Sequence, residues 1–327
     1  MTAMPAQSLY TSKASKVQHW LDFDGYSGGD IRALLALAKE LKTARAKGEQ
    51  THLLAGKTLA MIFEKASTRT RVSFEVGMYE LGGHALYLGS SATQLGRGEP
   101  LSDTARVLSR YVHGIMMRTY GHDTLQEIAK FASVPVINGL TDTHHPCQAL
   151  ADLLTIEEHF GQLRGVTLAY VGDGNNIAHS LIQACALTGM HIRVATPVAY
   201  APDPVIVSVA QQWAAASGSQ IVMTNDPVVA VTGADIVYTD VWASMGQEEE
   251  ADARQSAFTS YQVTETLLQS AHHDALFMHD LPAHRGEEVS AEVIDGARSI
   301  VFDQAENRLH AQKALLVRLL APGTTAS

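Results

Sequence analysis

Short runs of apolar and β-branched residues recur along this chain, and stretches of amphipathic sequence long enough for a helix separate them. This alternation is typical of parallel βαβ units. We therefore predict an α/β fold. The predicted strands span residues 58–63, 84–88, 114–119, 134–137, 167–171, 191–195, 220–224, 235–239, 275–278 and 299–302.

The length of 327 residues favours two domains, at roughly 150 residues each. Pro146 begins a predicted helix with one apolar stripe, and we place the domain boundary there. The predicted domains are 1–145 and 146–304, each an open, mostly parallel sheet flanked by helices, with interdomain helices between them. The last predicted helix, in the segment of about 305–327, is expected to pack back on the first domain.

Charge and composition limit the kinds of partner that this protein can bind. Lys and Arg number 24 against 34 Asp and Glu, a net charge of −10, which weighs against nucleic acid or an anionic membrane surface. The longest apolar runs fall far short of the roughly 20 residues that cross a bilayer. The N-terminus carries no signal-like run, and the only two cysteines, Cys147 and Cys185, fit a reducing compartment. We expect a cytoplasmic protein whose anionic ligands meet a local basic site.

The densest cluster of candidate anion-binding side chains is Ser67-Thr68-Arg69-Thr70-Arg71, between a predicted strand and a predicted helix. Backbone N–H groups at a helix N-terminus point towards an anion, hydroxyls add donors, and a guanidinium can hold two phosphate oxygens. A capped surface helix with two solvated arginines is the simpler alternative. The density of hydroxyls and arginines favours a phosphate-binding turn.

A second polar segment, His144-His145-Pro146-Cys147-Gln148, lies at the predicted domain boundary. His145 and Gln148 can both face one cleft, where the first donates to a carbonyl oxygen and the second accepts from an amide N–H. A surface histidine pair that caps the helix is an equal alternative. No cysteine or carboxylate lies at ligand spacing around the histidine doublet, so we expect no metal site there.

Further candidates follow other predicted strands, at the edge where open α/β sheets bind ligands. Arg118 ends one strand, Asp240 follows another, and Asn176 belongs to a polar turn after a third. Leu281-Pro282 lies in the loop after a fourth strand. Solvated strand ends and a capping aspartate are the simpler alternatives for these residues.

Together these segments resemble the ornithine carbamoyltransferases, in the same order over nearly the whole chain. Residues 67–71 resemble the motif that binds the phosphate of carbamoyl phosphate, and residues 145–148 resemble the H-P-C-Q motif at its carbamoyl group. Asp240 with Ser244-Met245-Gly246 resembles the loop that closes over the amino acid. The resemblance implies an enzyme that carbamoylates the δ-amine of L-ornithine to give L-citrulline, without metal or cofactor.

The resemblance also implies roles for individual residues and a homotrimer or an assembly of trimers. The implied carbamoyl phosphate-binding residues are Ser67, Thr68, Arg69, Thr70, Gln94, Arg118, His145, Pro146, Cys147, Gln148, Asp280, Leu281 and Arg308. The implied ornithine-binding residues are Asn176, Asp240, Ser244 and Met245. The implied catalytic residues are Thr70, Arg118, His145, Gln148 and Asp280.

The sequence departs from the family pattern at Asp280, where a cysteine is expected after His279. An ionised carboxylate beside the δ-amine raises the pKa of that amine, and only the neutral amine attacks. A protonated Asp280 in a dry site instead acts as a neutral donor. The residues alone leave both alternatives open.

Three alternative functions remain open at this point. A carbamoyltransferase for another amine such as putrescine gives Asn176 no carboxylate to hold. A weakly active or silent paralogue is suggested by Asp280. A nucleotide-dependent oxidoreductase rests on Gly172-Asp173-Gly174, a glycine pattern that lacks its third glycine.

Overall fold

The computed structural model describes residues 18–89, 98–243 and 250–321, and in these ranges nine strands form two all-parallel sheets. The first sheet has the strand order β2-β1-β3-β4, with β1 (Thr58–Phe63), β2 (His84–Gly89), β3 (Gly114–Arg118) and β4 (Val136–Leu140). The second has the order β7-β6-β5-β8-β9, with β5 (Thr167–Val171), β6 (His191–Ala195), β7 (Ile221–Thr224), β8 (Ile236–Thr239) and β9 (Leu276–His279). The predicted α/β class with two parallel sheets is confirmed.

Helices connect and flank these strands. They are α1 (Gly28–Ala46), α2 (Thr68–Glu80), α3 (Leu101–Tyr111), α4 (His122–Phe131), α5 (Pro146–Phe160), α6 (Asn176–Thr188), α7 (Pro204–Ser217), α8 (Pro227–Val231), α9 (Ala251–Phe258), α10 (Glu265–Leu268), α11 (Ala291–Ile294) and α12 (Val301–Leu320). Within the described ranges, no helix has both the length and the apolar character that a membrane span requires.

Burial explains why the sequence pattern predicts the central strands of the two sheets. All of β8 and nearly all of β1, β3 and β5 are buried, because helices cover both faces of a parallel sheet. Such strands appear as continuous apolar runs. Nine of the ten predicted strands lie at or within a few residues of their expected places, including β2 and β7, which are partly exposed.

The predicted strand at residues 299–302 is wrong. Ser299 makes only an isolated bridge to Phe277, and Val301 already begins α12. A four-residue apolar run does not distinguish a strand from the start of a buried helix. Here Val301 is buried while Phe302 faces solvent, and the helix continues from them to Leu320.

The C-terminal helix α12 packs against α1, α2 and α5 and is buried along most of its length. It thereby carries polar side chains into the region between the two sheets. Gln304 and Arg308 are the two that matter for the site, and both are almost completely buried.

A buried carboxyl group, Asp152 of α5, connects three elements at this junction. Its Oδ1 accepts from Nε2 of Gln148 at 2.8 Å and from Nε2 of Gln304 at 2.7 Å, and its Oδ2 accepts from the Tyr238 hydroxyl of β8 at 3.2 Å. Burial raises the pKa of Asp152 to about 7, although these hydrogen bonds oppose the rise. The carboxyl group thus ties α5, α12 and the second sheet together.

We predict that Asp152→Ala lowers the free energy of unfolding by roughly 3 kcal/mol, because it leaves two amides and a hydroxyl buried without their acceptor. Urea unfolding at pH 6 measures this. The control is Asp303→Ala, which removes a half-exposed carboxylate of the same C-terminal helix and should shift the midpoint little. Equal midpoints for the Asp152 variant and the wild type would contradict the structural role of this carboxyl group.

Candidate active site

The phosphate-binding turn predicted from the sequence lies just beyond the carboxyl end of β1, at the N-terminus of α2. Ser67 is the N-cap, and its hydroxyl accepts from the backbone N–H of Thr70 at 3.2 Å and donates to the Thr70 hydroxyl at 3.1 Å. The first-turn N–H groups of a helix otherwise lack partners inside the helix. The turn therefore presents hydroxyls and backbone donors at the positive end of the helix dipole.

The two arginines of this turn point in different directions. Nη2 of Arg69 donates to the Leu281 carbonyl oxygen at 2.6 Å. This hydrogen bond connects the turn after β1, in the first sheet, to the loop after β9, in the second. Arg71 instead pairs with Glu75 at 3.0 Å on the exposed face of α2 and lies over the Tyr87 ring. Only Arg69 of this pair therefore belongs to the candidate site.

Two more arginines join Arg69 from distant parts of the chain. Arg118 ends β3, and burial followed by the charges of Arg308 and Arg69 lowers its pKa to about 10. Arg308 of α12 donates from Nη1 to the Gln148 oxygen at 2.7 Å and from Nη2 to the Thr70 hydroxyl at 3.2 Å. Arg308 thereby links the phosphate-binding turn to the start of α5.

The segment around His145 enters the same region. His145 is 2% exposed, its backbone N–H donates to the Ser180 hydroxyl at 2.8 Å, and burial and the nearby arginines hold its pKa well below the usual value. The imidazole is therefore neutral at pH 7. Pro146 and Gln148 lie in the first turn of α5, whereas the Cys147 thiol packs in the core and donates to the Asn138 carbonyl oxygen at 3.3 Å.

These arginines form a cluster of like charge. In the part of the chain that the structure describes, no carboxylate lies within ion-pair distance of Arg69, Arg118 or Arg308, and the Nε of Arg118 is buried without a hydrogen-bond partner. Gathering cations in a partly buried place costs free energy unless an anion offsets it. The cluster is therefore suited to a small, highly charged anion.

The second sheet supplies the opposite charge. Asp240 follows β8, is 5% exposed, and accepts from Nδ2 of Asn175 at 2.7 Å. Asn176 begins α6 and donates from Nδ2 to the Thr141 carbonyl oxygen at 2.6 Å. A carboxylate and an amide thus lie at the carboxyl ends of the strands of the second sheet.

Asp280 lies beside Asp240 in the loop after β9. Ligand oxygens of the two aspartates approach within 4.8 Å of one another and of a His279 ring nitrogen. Burial, and then the Asp240 carboxylate, raise the pKa of Asp280 well above its ordinary value. The nearby Asp240 carboxylate therefore disfavours the ionised form of Asp280.

His279 shapes the loop that carries Asp280 and Leu281. Its Nδ1 accepts from the Leu281 N–H at 2.9 Å, and its Nε2 lies 3.0 Å from a carboxylate oxygen of buried Glu288. Leu281 is the one non-glycine residue with positive φ, 58°, in the described ranges. Such a conformation is uncommon and concentrates at functional sites. Here it aims the Leu281 carbonyl at Arg69.

Comparison with known proteins identifies this arrangement. The model of the aspartate/ornithine carbamoyltransferase carbamoyl-P binding domain matches residues 18–158, and that of the Asp/Orn binding domain matches residues 164–319. The chain belongs to the aspartate/ornithine carbamoyltransferase family. These two matches follow the division between the two sheets, with α5 at the end of the first match.

Individual members of the family are closely similar to the chain. It is 60% identical over 305 residues to an ornithine carbamoyltransferase of Anoxybacillus flavithermus, covering 93% of this chain and 97% of that protein. A relative of the same name from Carboxydothermus hydrogenoformans is 58% identical over 301 residues, covering 92% and 97%. The solved ornithine carbamoyltransferase of Pyrococcus furiosus superposes with a TM-score of 0.91 at 55% identity, covering 94% and 98%.

The structure brings most of the predicted site residues into one region. Gln94, Ser244 and Met245 lie outside the described residues. The sequence prediction does not include Asn175, Glu288 and Gln304, which orient Asp240, His279 and Asp152. Only Asn175 had a local sign, because it is next to the candidate residue Asn176. Glu288 lies in a turn and Gln304 in a helix with many polar residues, so the local pattern marks neither of them.

We predict that Arg69→Ala weakens carbamoyl phosphate binding more than tenfold, because a charge-assisted contact contributes roughly 1.5–3 kcal/mol. Arg71→Ala is the matched control, since it removes the same charge two residues away but on the exposed face of α2. Calorimetric titration of both folded variants measures the effect. If the two substitutions weaken binding equally, the phosphate does not contact Arg69 directly.

Proposed function

We propose that this member of the family transfers the carbamoyl group of carbamoyl phosphate to the δ-amine of L-ornithine, which gives L-citrulline and phosphate. The observation that carries the proposal is the pairing of an arginine cluster on one side of the site with Asp240 and Asn176 on the other. The relatives named ornithine carbamoyltransferase, at 55–60% identity, support it.

The phosphate of carbamoyl phosphate binds at the N-terminus of α2. Ser67, Thr68 and Thr70 contribute hydroxyls and backbone N–H groups, and Arg69 contributes its guanidinium. Arg308 and the side chain of Gln94 are the further ligands that the family resemblance implies. The dianionic phosphate group there offsets the mutual repulsion of the arginines.

The carbamoyl carbonyl lies between Arg118, His145 and Thr70 in this proposal. A neutral imidazole N–H and the Arg118 guanidinium stabilise the oxyanion that forms on attack. Gln148 accepts from the carbamoyl NH₂, because its side-chain oxygen keeps a lone pair besides the one that Arg308 occupies. The Leu281 carbonyl has a second lone pair for the same NH₂ group.

The chemical step needs a neutral δ-amine. Its nitrogen forms a bond to the carbonyl carbon, the carbon–oxygen bond to phosphate breaks, and phosphate leaves with the bonding electron pair. The amine nitrogen loses a proton, which the departing phosphate takes up. Asp240 holds the α-ammonium of ornithine and Asn176 its α-carboxylate, while Ser244 and Met245 close over the amino acid and exclude water.

The domain division and the assembly belong to the same proposal. Residues 1–145 with the C-terminal helix bind carbamoyl phosphate, and residues 146–304 bind ornithine; the packing of α12 on α1 and α2 supports the first assignment. A homotrimer or an assembly of trimers in the cytoplasm completes the proposal.

The test is product formation from carbamoyl phosphate with L-ornithine, putrescine or L-aspartate offered in parallel. We expect citrulline from ornithine at a kcat/KM at least a hundredfold above that for putrescine, because putrescine has no α-carboxylate for Asn176 to hold. A preference for putrescine would establish the alternative diamine enzyme. Tight carbamoyl phosphate binding without product from any amine would establish a silent paralogue.

The raised pKa of Asp280 leads to a prediction about how kcat/KM depends on pH. Because burial and the Asp240 carboxylate raise its pKa, we expect the group to be protonated at neutral pH and not to hold the δ-amine as an ammonium. Asp280→Asn, its neutral isostere, should therefore have nearly the same rising limb of kcat/KM against pH as the wild type between pH 6 and about 8.

If the rising limb of kcat/KM against pH moves to lower pH in Asp280→Asn, the wild-type carboxylate is ionised beside the amine.

The pH dependence of folding stability gives an independent check. A raised pKa in the folded state stabilises the fold below the ordinary aspartate pKa, and that contribution is lost as the pH rises. Asp280→Asn should thus gain stability relative to the wild type as the pH increases from about 4.

A further inference from the structure

A second cluster of polar side chains lies beside the active site, at the histidine doublet for which the sequence predicts no metal site. Asp22 precedes α1, His122 is the first residue of α4, and His144 lies in the loop between β4 and α5. One ligand atom from each lies within 4.8 Å of the others, and Nε2 of His122 is 3.8 Å from Oδ2 of Asp22.

These groups converge without bonding to one another. Among the described residues, neither Nε2 of His122 nor Nδ1 of His144 has a hydrogen-bond partner, although both atoms are buried and His144 is only 5% exposed. The separation of 3.8 Å between His122 and Asp22 is too long for a hydrogen bond. Buried polar atoms are normally satisfied, so two such nitrogens beside a carboxylate point to a ligand.

Neighbouring groups hold the two rings in place. Nδ1 of His122 lies 3.1 Å from the Thr141 hydroxyl, and the rings of His122 and His144 pack edge to face with centroids 4.9 Å apart. A second bond from the far ring nitrogen is what orients a histidine ligand towards a metal. The nearby His179 is already engaged through both ring nitrogens, by the Thr143 carbonyl and the Asp203 N–H at 2.9 Å each.

We propose that Asp22, His122 and His144 form a binding site for a divalent transition-metal ion of the Zn²⁺ type. Two imidazoles and one carboxylate are a common set of three protein ligands for Zn²⁺, with a fourth position open to water. Bonds of about 2.1 Å place tetrahedral ligands roughly 3.4 Å apart, so the three atoms, now within 4.8 Å of one another, need to approach by at most about 1.4 Å. Asp22 lies in a bend before α1 and is partly exposed, so it can make this movement.

The ion would join segments that are far apart in the sequence. It would tie the chain before α1 and the start of α4 to the loop that leads into His145. Binding should stabilise the fold, because the unfolded chain cannot bring the three ligands together. The proposal does not depend on which amine the enzyme uses.

Cobalt(II) is the probe that tests the site, because its d–d absorption reports nitrogen and oxygen ligation directly. We expect one equivalent of Co²⁺ to bind the full-length protein with visible absorption bands. Asp22→Asn and His122→Gln should each weaken binding more than tenfold. The matched control is the double variant His272→Gln, His273→Gln, which removes an exposed histidine pair beside Asp274 and should leave the bands unchanged.

Two results would overturn the proposal: absence of Co²⁺ bands in the wild type, or bands that survive both Asp22→Asn and His122→Gln. A second measurement uses only the wild-type protein, so misfolding of a variant cannot affect its result. Anomalous diffraction at the zinc edge from wild-type crystals soaked in Zn²⁺ should place a peak between the three side chains. A peak only at exposed histidines would count against the site as directly.

Discussion

The arrangement of the site depends on the burial of Arg308. This cation sits on the last helix, is 3% exposed, and donates to Gln148 of α5 and to Thr70 of α2. Gln148 in turn donates to Asp152, which also accepts from Gln304 and Tyr238. A buried cation is costly unless it is hydrogen-bonded, so these partners must all be in place together. The site therefore forms only when the C-terminal helix docks between the two sheets.

Charge is separated across this junction. Arg69, Arg118 and Arg308 gather on the side of the first sheet, while Asp240 and Asp280 lie after strands of the second. Burial and the Asp240 carboxylate both disfavour the ionised form of Asp280 on the acidic side. An anion on one side and an ammonium on the other complement these charges. The separation explains how a chain with a net charge of −10 can bind a phosphorylated substrate.

Local sequence predicted most of the fold, because strands buried on both faces are continuous apolar runs. It failed at residues 299–302, where the apolar run belongs to a helix start. It could not separate Arg69 from Arg71, because only the direction of each side chain distinguishes them. It also found no carboxylate for the His144-His145 doublet, because Asp22 reaches His144 through tertiary structure. Contacts between distant segments are what local patterns cannot supply.

The central claim is that the two sides of the site act together, so that the first ligand completes the pocket of the second. The most direct measurement is the calorimetric affinity of L-norvaline, which is ornithine without its δ-amine and cannot react, with and without carbamoyl phosphate. The account predicts that carbamoyl phosphate tightens norvaline binding at least tenfold, within the range of ordinary coupling between sites. Equal affinities in the two titrations would contradict it.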